Sequence, residues 1–243
     1  MERARKVYRA EKFIVYFQPN TNTYSDVDTL RKLYDEALAV NPSETVGLSV
    51  GTRADCLDDE KLAMFDEYAD KLAIDLEIGM ESMYDTSLQS LNRGHTHQEF
   101  LDLMDKCHNR KFDLCVHTIF GLPGETHEMM LAVADELNRL PIRFAKLHHL
   151  YIVKGSVMGV RYRRDPDSIP LFTLEGYTDF LCEFIPKLRP DLVIQRLFGI
   201  SDREYHLAPH WQKSKRDIQL HLERAFKERG IFQGAEYAIP QPL

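Results

Sequence analysis

Short apolar runs alternate with amphipathic stretches over the first two thirds of the chain. The apolar runs are rich in β-branched and aromatic residues, which favours strands, and the stretches after them repeat apolar residues at helical spacing. Five strand-then-helix units in succession predict a parallel sheet with right-handed crossovers, covered by helices on one face if it curls into a barrel. The predicted strands are 13–17, 45–50, 74–81, 114–120 and 144–153.

Helices are predicted between these strands, each after a polar loop. Ser25 or Asp26 would cap the first helix, because a short side-chain oxygen accepts the unpaired amides of the first turn. The residues at the strand ends are polar or glycine, and β/α barrels place their sites at that edge. The predicted helices are 25–40, 58–71, 96–110 and one that ends near 140.

The pattern changes after residue 156. We predict a β/α core over residues 1–156 and an α/β extension over residues 157–243 that packs on it, since no flexible linker separates them. The extension is predicted to contain a loop at 161–170, a helix at 173–188, a strand at 192–200, irregular chain at 206–211 and a helix at 213–229 that ends at Gly230.

The N-terminal residues suggest that sequence is missing before them. Residues 2–11 resemble the last turns of a helix that leads into the strand at residue 13. An edge strand is normally covered by a preceding unit, because its backbone would otherwise be unpaired. We therefore expect this chain to be part of a longer protein.

Composition narrows the class of protein. The chain has 243 residues, 44% hydrophobic and 28% charged, as is typical of a globular protein, and its charge of −7 gives no support for non-specific nucleic-acid binding. It contains neither an apolar stretch of about 18 residues nor an apolar signal segment, so we expect a cytoplasmic protein without a membrane partner. The widely spaced Cys56, Cys107, Cys115 and Cys182 predict small buried side chains.

One predicted strand carries two carboxylates. Period-two alternation places Glu77, Gly79 and Glu81 on the same face. Carboxylates inside a sheet are costly unless they are paired or hydrogen-bonded, so at least one of them is expected to have a functional role. Arg93, in the loop that follows, supplies a forked cation that could hold a carboxylate bidentately.

The histidines support a metal hypothesis. His117, His148 and His149 lie on neighbouring predicted strands, but the adjacent His148 and His149 point to opposite faces, so only one could share a centre with His117. A divalent-metal β/α-barrel hydrolase or lyase that uses His117, His148 and Glu77 is therefore one alternative. The other interpretation of each histidine is a hydrogen-bonded core residue.

Six motifs occur in the order found in the radical S-adenosylmethionine (SAM) superfamily, and residues 13–156 resemble it. The similarity is to an uncharacterised bacterial branch related to the radical SAM domain of Elongator-type tRNA-modifying acetyltransferases. The motifs are Tyr16-Phe17-Gln18 with Thr21-Asn22-Thr23, residues 50–56, 76–82 and 91–95, Gly121-Leu122-Pro123-Gly124-Glu125, and residues 146–148 with 152–156.

The resemblance implies an α/β fold that forms part of a (β/α)6 TIM-like barrel, strands two to six of a radical SAM core. It also implies SAM as cofactor, with contacts from successive strand ends. Gln18, Thr21 and Asn22 stand where the family has a Gly-Gly-Glu motif for the methionyl amino group. The other implied contacts are Glu81 at the ribose or methionyl group, Arg93 at the carboxylate, His117 at the ribose, Ile119 to Gly121 on the adenine and Ile152 at the adenine edge.

One family feature is missing from the sequence. The family's CxxxCxxC loop would precede Phe13, and no such motif occurs in the chain. Three thiolates hold three irons of the cluster, so either this chain was cut from a longer protein or it is a natural relative without a cluster.

The full-length parent would carry a [4Fe-4S] cluster reduced by an electron donor. Its cluster would cleave SAM reductively to a 5′-deoxyadenosyl radical that abstracts a substrate hydrogen. This chain, a fragment of such an enzyme, is expected to be inactive as given. A third hypothesis is a non-catalytic SAM-binding or scaffold module. The substrate is unknown, and the Elongator resemblance makes RNA one candidate.

Overall fold

Six strands pair in one sheet in a computed structural model that describes residues 2–237. Within it, β1 pairs parallel with β2, and β2 pairs parallel with β3. The order across this sheet is β1 (Phe13–Phe17), β2 (Thr45–Thr52), β3 (Ala73–Glu81), β4 (Asp113–Phe120), β5 (Phe144–His149) and β7 (Val193–Arg196). A second, antiparallel sheet pairs β6 (Ile152–Val153) with β8 (His206–Ala208).

Helices follow the strands in the alternation that the sequence predicts. Short 3-10 helices cover residues 54–56, 166–168 and 185–187. The α-helices are α1 (Glu2–Tyr8), α2 (Val27–Leu38), α3 (Asp59–Ala69), α4 (Asp85–Ser90), α5 (His97–Lys106), α6 (His127–Arg139), α7 (Val157–Arg164), α8 (Leu174–Phe184) and α9 (Lys215–Glu228).

The chain divides into two compact units that interleave along the sequence. The first unit comprises the described residues up to 81 together with 92–117 and 141–144. The second unit comprises 82–91, 118–140 and the described residues from 145 onward. The division at residue 156 that the sequence suggests stays a prediction.

The core of the first unit is built on β2 and β3. Leu48, Val50, Leu76 and Ile78 are fully buried on one face of the sheet. Tyr34 of α2 is also fully buried, and its hydroxyl donates to the backbone carbonyl of Asn22 at 2.7 Å. This bond holds the loop after β1 against α2.

Aromatic side chains form the core of the second unit. The Phe120 ring lies 4.7 Å from that of Phe180 and 4.8 Å from that of Phe184, and Tyr177 is fully buried beside them. The burial of these rings explains why α8 has an apolar face.

Short polar side chains begin the helices as the sequence indicates. Asp26, predicted as a cap, accepts from the amide of Thr29 at 2.9 Å. Thr96 forms a capping box with Glu99 at the start of α5. The predicted end of α9 is confirmed by Gly230, which follows its last turn with a φ of +64°.

The prediction of a loop at 161–170 is wrong for its first half. Helix α7 begins after the Ser156 cap, which accepts from the amide of Gly159 at 2.9 Å, and continues to Arg164. Arg161, Arg163 and Arg164 lie in its last turn, where the helix dipole favours positive charge. The cap and the dipole therefore stabilise a helix that shows little apolar periodicity.

Two predicted strands are shorter in the structure. The apolar run 144–153 breaks after His149, and Ile152–Val153 leave the large sheet to pair with β8. The run 192–200 is extended only over β7. Residues 206–211, predicted as irregular, contain β8. These ends depend on a partner strand far away in the sequence, which local periodicity does not reveal.

Within residues 2–237 we find no helix with the length and apolar character needed to cross a membrane.

Candidate cofactor site

A buried carboxylate connects three other strands of the first unit. Glu77 is only 4% exposed. The Tyr16 hydroxyl of β1 donates to its Oε2 at 2.6 Å, and the Ser49 hydroxyl of β2 donates to its Oε1 at 3.0 Å. From β4, His117 Nε2 lies 2.9 Å from Oε2. An ionised carboxylate only accepts, so with Glu77 ionised this nitrogen of His117 carries the hydrogen.

Strand register accounts for this convergence. Tyr16 pairs with Ser49, and Ser49 pairs with Asp75, two residues before Glu77. Because paired residues of neighbouring strands point to the same face, Tyr16, Ser49 and Glu77 share one face of the sheet. The sequence predicts that Glu77 lies on a sheet face but not that Tyr16 and Ser49 are its partners.

A second carboxylate, Glu81, lies at the carboxyl end of β3 beside Arg93. Its backbone has a φ of +62°, which turns the chain out of the strand. Arg93 Nη2 lies 3.3 Å from Glu81 Oε1 and donates to the carbonyl of Gly79 at 3.2 Å. Within residues 2–237, the buried Nε of Arg93 has no hydrogen-bond partner. Arg93 therefore has a donor left for a ligand carboxylate.

The Glu81 and Arg93 side chains occupy the space that a side chain at position 79 would fill. A Cβ there would lie 2.5 Å from Glu81 Oε1 and 2.7 Å from Arg93 Nη2. Both distances are too short for a real contact, so any larger residue would displace the two side chains. The Glu81–Arg93 pair thus lies directly over β3.

His95 is a candidate that sequence reasoning missed. It is 4% exposed, and neither ring nitrogen has a hydrogen-bond partner among the described residues. Burial, and then the charge of Arg93, lowers the pKa of His95 below its usual range. A neutral imidazole with unused nitrogens two residues from Arg93 can donate to or accept from a ligand. The one sequence feature that could have indicated His95 is its position in the motif Asn92-Arg93-Gly94-His95.

The loop after β1 holds three of the predicted residues. Gln18 is exposed, and Thr21 and Asn22 are half-buried. The side-chain amide of Asn22 lies 3.0 Å from the carbonyls of both Phe17 and Gly51, so it fastens the loop to β2. Contact of these three residues with SAM stays a prediction.

The remaining predicted residues belong to the second unit. Gly121 has a φ of +87°, and its amide hydrogen bonds to the Met130 sulfur at 3.0 Å. Ile152 is 1% exposed in an apolar cluster around Leu150, against which Ile119 packs. Such burial is typical of core residues, and adenine contacts from Ile119, Gly121 and Ile152 stay predictions.

The structure gives no support to a divalent-metal site. In the part of the chain that it describes, no three His, Cys, Asp or Glu side chains are grouped so that they could hold a metal ion. The Glu77 carboxylate is engaged by Tyr16, Ser49 and His117. The ligand set of His117, His148 and Glu77 is therefore not formed.

The cysteines of this chain do not fit an iron–sulfur cluster. Cys56, Cys107, Cys115 and Cys182 are all buried, and none of them forms a disulfide. Burial raises the pKa of the Cys107 thiol to about 12 and also raises the pKa values of Cys56 and Cys182. Cluster ligands are thiolates, and these environments favour the protonated thiol.

Comparison with known proteins identifies the family. The model of the radical SAM superfamily matches residues 1–137, and that of the radical SAM C-terminal domain matches residues 142–228. The chain belongs to the radical SAM superfamily. The order of strand-end motifs in the sequence had predicted this membership, which is confirmed.

Its relatives include proteins from archaea and bacteria. It is 34% identical to the uncharacterized protein MJ0486 of Methanocaldococcus jannaschii, over 93% of this chain and 70% of the relative. Identity to protein YhcC of Escherichia coli is 33%, over 98% of this chain and 75% of the relative. A tRNA-2-methylthio-N(6)-dimethylallyladenosine synthase of Thermoanaerobacter is 29% identical over 84% of this chain and 44% of that protein.

The fold is similar to that of the archaeal Methanocaldococcus infernus Elp3 with an N-terminal deletion of residues 1–46. The TM-score is 0.79 at 15% sequence identity, over 95% of this chain and 57% of the Elp3 chain. The chain thus spans little more than half of that protein. The predicted α/β fold class, part of a TIM-like radical SAM core, is confirmed.

Proposed function

We propose that this chain is the SAM-binding part of a radical SAM enzyme and that it does not cleave SAM by itself. Membership of the superfamily implies SAM and a [4Fe-4S] cluster as cofactors. The observation that carries the SAM proposal is the Glu81–Arg93 pair at the end of β3, with an unused Arg93 donor beside it. The cysteine environments support the proposed inactivity.

Each residue of the proposed site suits one part of SAM. Arg93 would pair with the carboxylate of the methionyl group, since a guanidinium matches carboxylate geometry. Glu81 would accept from the amino group or a ribose hydroxyl, and His117, oriented by Glu77, would contact the ribose. A bound SAM would bring the sulfonium on which the superfamily's chemistry depends, and the chain's own share is orientation.

Calorimetry with SAM and with S-adenosylhomocysteine tests the binding part of the proposal. We expect both to bind, because the proposed contacts reach groups that the two molecules share. Arg93→Gln should weaken the affinity at least tenfold by removing a charged donor. Arg31→Gln on α2, which breaks the ion pair with Glu67 of α3, is the matched control and should leave affinity unchanged. Absence of binding by the unaltered chain would contradict the proposal.

Anaerobic reconstitution with iron and sulfide tests the proposed inactivity. We expect no cluster absorbance and no 5′-deoxyadenosine when SAM and a reductant are added. A cluster spectrum together with 5′-deoxyadenosine would overturn the inactivity but leave SAM binding intact. SAM binding without cleavage would match both the fragment hypothesis and the hypothesis of a non-catalytic SAM-binding module.

An RNA substrate is a second proposal, for the enzyme to which this chain belongs. It is supported by the 29% identity to a synthase whose name specifies a tRNA modification. The charge of −7 opposes non-specific binding to phosphates, so any affinity should depend on RNA structure. Filter binding with folded and with denatured tRNA tests this, and equal retention of the two would contradict it.

A further inference from the structure

The second unit contains a cavity that takes no part in the proposed SAM site. It has a volume of about 680 Å³ and is lined by the end of β5, by the chain on both sides of β8 and by the first turn of α9. Small-molecule sites have volumes of about 300–1,000 Å³. The cavity therefore has the size of a site for a ligand such as a nucleotide.

Positive side chains line this cavity. Arg203, Lys213 and Lys215 are among its lining residues, which include neither Asp nor Glu. Within residues 2–237 none of these three cations forms an ion pair, so all three charges are available to a ligand. In a chain of net charge −7, a cavity whose charged lining residues are all positive is a local excess of positive charge.

The N-terminus of α9 adds to this positive field. Ser214 caps this 14-residue helix and lines the cavity together with Lys215. The amide end of a helix dipole attracts anions, phosphates above all. Asp217 is the acidic group of this turn, and its carboxylate accepts from the Ser214 hydroxyl at 2.7 Å. Asp217 is not among the lining residues.

An unsatisfied buried nitrogen also points to a ligand. His149 lines the cavity and is 4% exposed, and its buried Nδ1 has no hydrogen-bond partner within the described chain. Its ring stacks on Trp211 with centroids 4.1 Å apart, and the Trp211 indole donates to the carbonyl of Phe172 at 2.9 Å. The ring is thus fixed in place, and leaving one of its nitrogens unpaired costs free energy that a ligand would recover.

His206 braces another wall of the cavity. Its Nε2 lies 2.7 Å from the carbonyl of Pro209, and its Nδ1 lies 2.8 Å from the Ser201 hydroxyl. Because a carbonyl only accepts, Nε2 carries the hydrogen. Two residues on either side of β8 are thus connected through one imidazole, so the wall is formed before any ligand binds.

We propose that this cavity binds a small phosphate-bearing ligand, with the phosphate held by Arg203, Lys213 and Lys215 at the start of α9. His149 Nδ1 supplies a directed hydrogen bond to the same ligand. Phosphate suits this site because it accepts several charge-assisted bonds at once. An RNA strand would need an extended basic stripe along the surface, whereas these cations surround a single cavity.

Calorimetry of the full chain with pyrophosphate and with ATP tests the proposal. Both should bind, pyrophosphate through phosphate contacts alone. The double variant Lys213→Ala/Lys215→Ala should lose at least tenfold in affinity for both. The control Lys32→Ala/Lys71→Ala removes the same charge from exposed residues of the first unit and should bind like the unaltered chain.

His149→Phe tests the hydrogen bond from His149 separately from the positive charges of the cavity. It preserves the aromatic ring against Trp211 and removes the nitrogen, so we expect an affinity loss of about tenfold. If this variant does not fold, the exposed lysine pair still decides the question. Failure of both pyrophosphate and ATP to bind would overturn the proposal. So would affinities equal to that of the unaltered chain in the lysine double variant, or binding of an RNA oligonucleotide alone.

Discussion

The Glu77 carboxylate lies inside the sheet of the first unit with partners on three other strands. Removing a carboxylate from water costs several kcal/mol unless hydrogen bonds replace the lost solvation. The bonds from Tyr16 and Ser49 and the contact with His117 supply that replacement. The energetic role of Glu77 therefore depends on these neighbours, and the coupling can be measured.

A double-mutant cycle measures the coupling between Tyr16 and Glu77. We expect Tyr16→Phe to lower the free energy of unfolding by about 1 kcal/mol, because it removes a hydrogen bond to a carboxylate at a partly exposed hydroxyl. In a Glu77→Gln background the same change should cost less than half as much, since the acceptor is neutral. Urea unfolding gives both values.

Tyr24→Phe is the control for this cycle. Tyr24 is 82% exposed, so removing its hydroxyl should change the free energy of unfolding by less than about 0.5 kcal/mol. Equal losses for Tyr16→Phe in the two backgrounds would show that its hydroxyl is not coupled to the charge of Glu77.

A substitution at Gly79 should weaken SAM binding at the proposed site with little effect on folding. The atoms that a Cβ there would meet are the ends of the Glu81 and Arg93 side chains, which can move. We expect Gly79→Ala to reduce SAM affinity about tenfold, because it breaks the Glu81–Arg93 arrangement, while the urea midpoint changes little. Calorimetry and urea unfolding of the same preparation measure the two effects.

Gly47→Ala is the matched contrast for Gly79→Ala. A Cβ at Gly47 would lie 2.7 Å from the backbone oxygen of Ala73, which cannot move without disturbing the pairing of β2 with β3. This variant should lose about 1–3 kcal/mol of stability. If Gly79→Ala is destabilised as strongly, it does not act through the two mobile side chains.

Local chemistry explains why some residues of the site were predictable and others were not. Alternation along β3 placed Glu77, Gly79 and Glu81 on one face, and a carboxylate partner for Arg93 was expected. The partners of Glu77 were not predictable, because Tyr16, Ser49 and His117 reach it only through strand pairing. His95 was missed because its burial depends on tertiary contacts rather than on its sequence neighbours.

Helix α5 begins with a capping box, which is formed by residues close together in the sequence. The Thr96 hydroxyl accepts from the Glu99 amide at 3.2 Å, and the Glu99 carboxylate accepts from the Thr96 amide at 2.7 Å. Thr96→Ala should therefore cost about 1 kcal/mol in the free energy of unfolding. Thr96→Ser keeps the hydroxyl and should recover most of it, whereas equal losses in the two variants would exclude a capping effect.

Elements that depend on distant partners were predicted less well than those with local signals. The two candidate caps, Ser25 and Asp26, lie next to the helix that one of them would begin, and in the structure the cap is Asp26. In contrast, β5 ends at His149 because the chain then crosses to pair with β8, which lies more than fifty residues later. The apolar pattern by itself predicts that this strand continues to Val153.

At the scale of the whole chain, alternation of strands and helices was enough to predict the fold class. The pattern cannot report how residues interleave between the two units, because that depends on contacts among elements far apart in the sequence. It also cannot report which ionisable groups folding removes from water. Those groups determine how the stability of the protein responds to pH.

His149 makes the folded state sensitive to acid. Burial lowers the pKa of His149 from 6.5 to about 3, so its ring stays neutral in the folded chain at pH values where the unfolded chain is protonated. Its contribution to stability is therefore complete above about pH 6.5 and is lost as the pH falls towards 3. The loss approaches about 1.4 kcal/mol per pH unit at its steepest.

His149→Phe should flatten this acid limb, because phenylalanine takes up no proton in either state. We expect the free energy of unfolding, measured by urea at intervals between pH 7.5 and pH 5, to fall less steeply in the variant than in the unaltered chain.

The raised pKa of Glu125 and the lowered pKa of His95 act in both proteins and cancel in the difference. His108→Gln removes an exposed imidazole and is the matched control, so it should keep the original slope. Parallel curves for His149→Phe and the unaltered chain would mean that the His149 ring is accessible to protons in the folded state, because only a ring that stays neutral there can produce the difference.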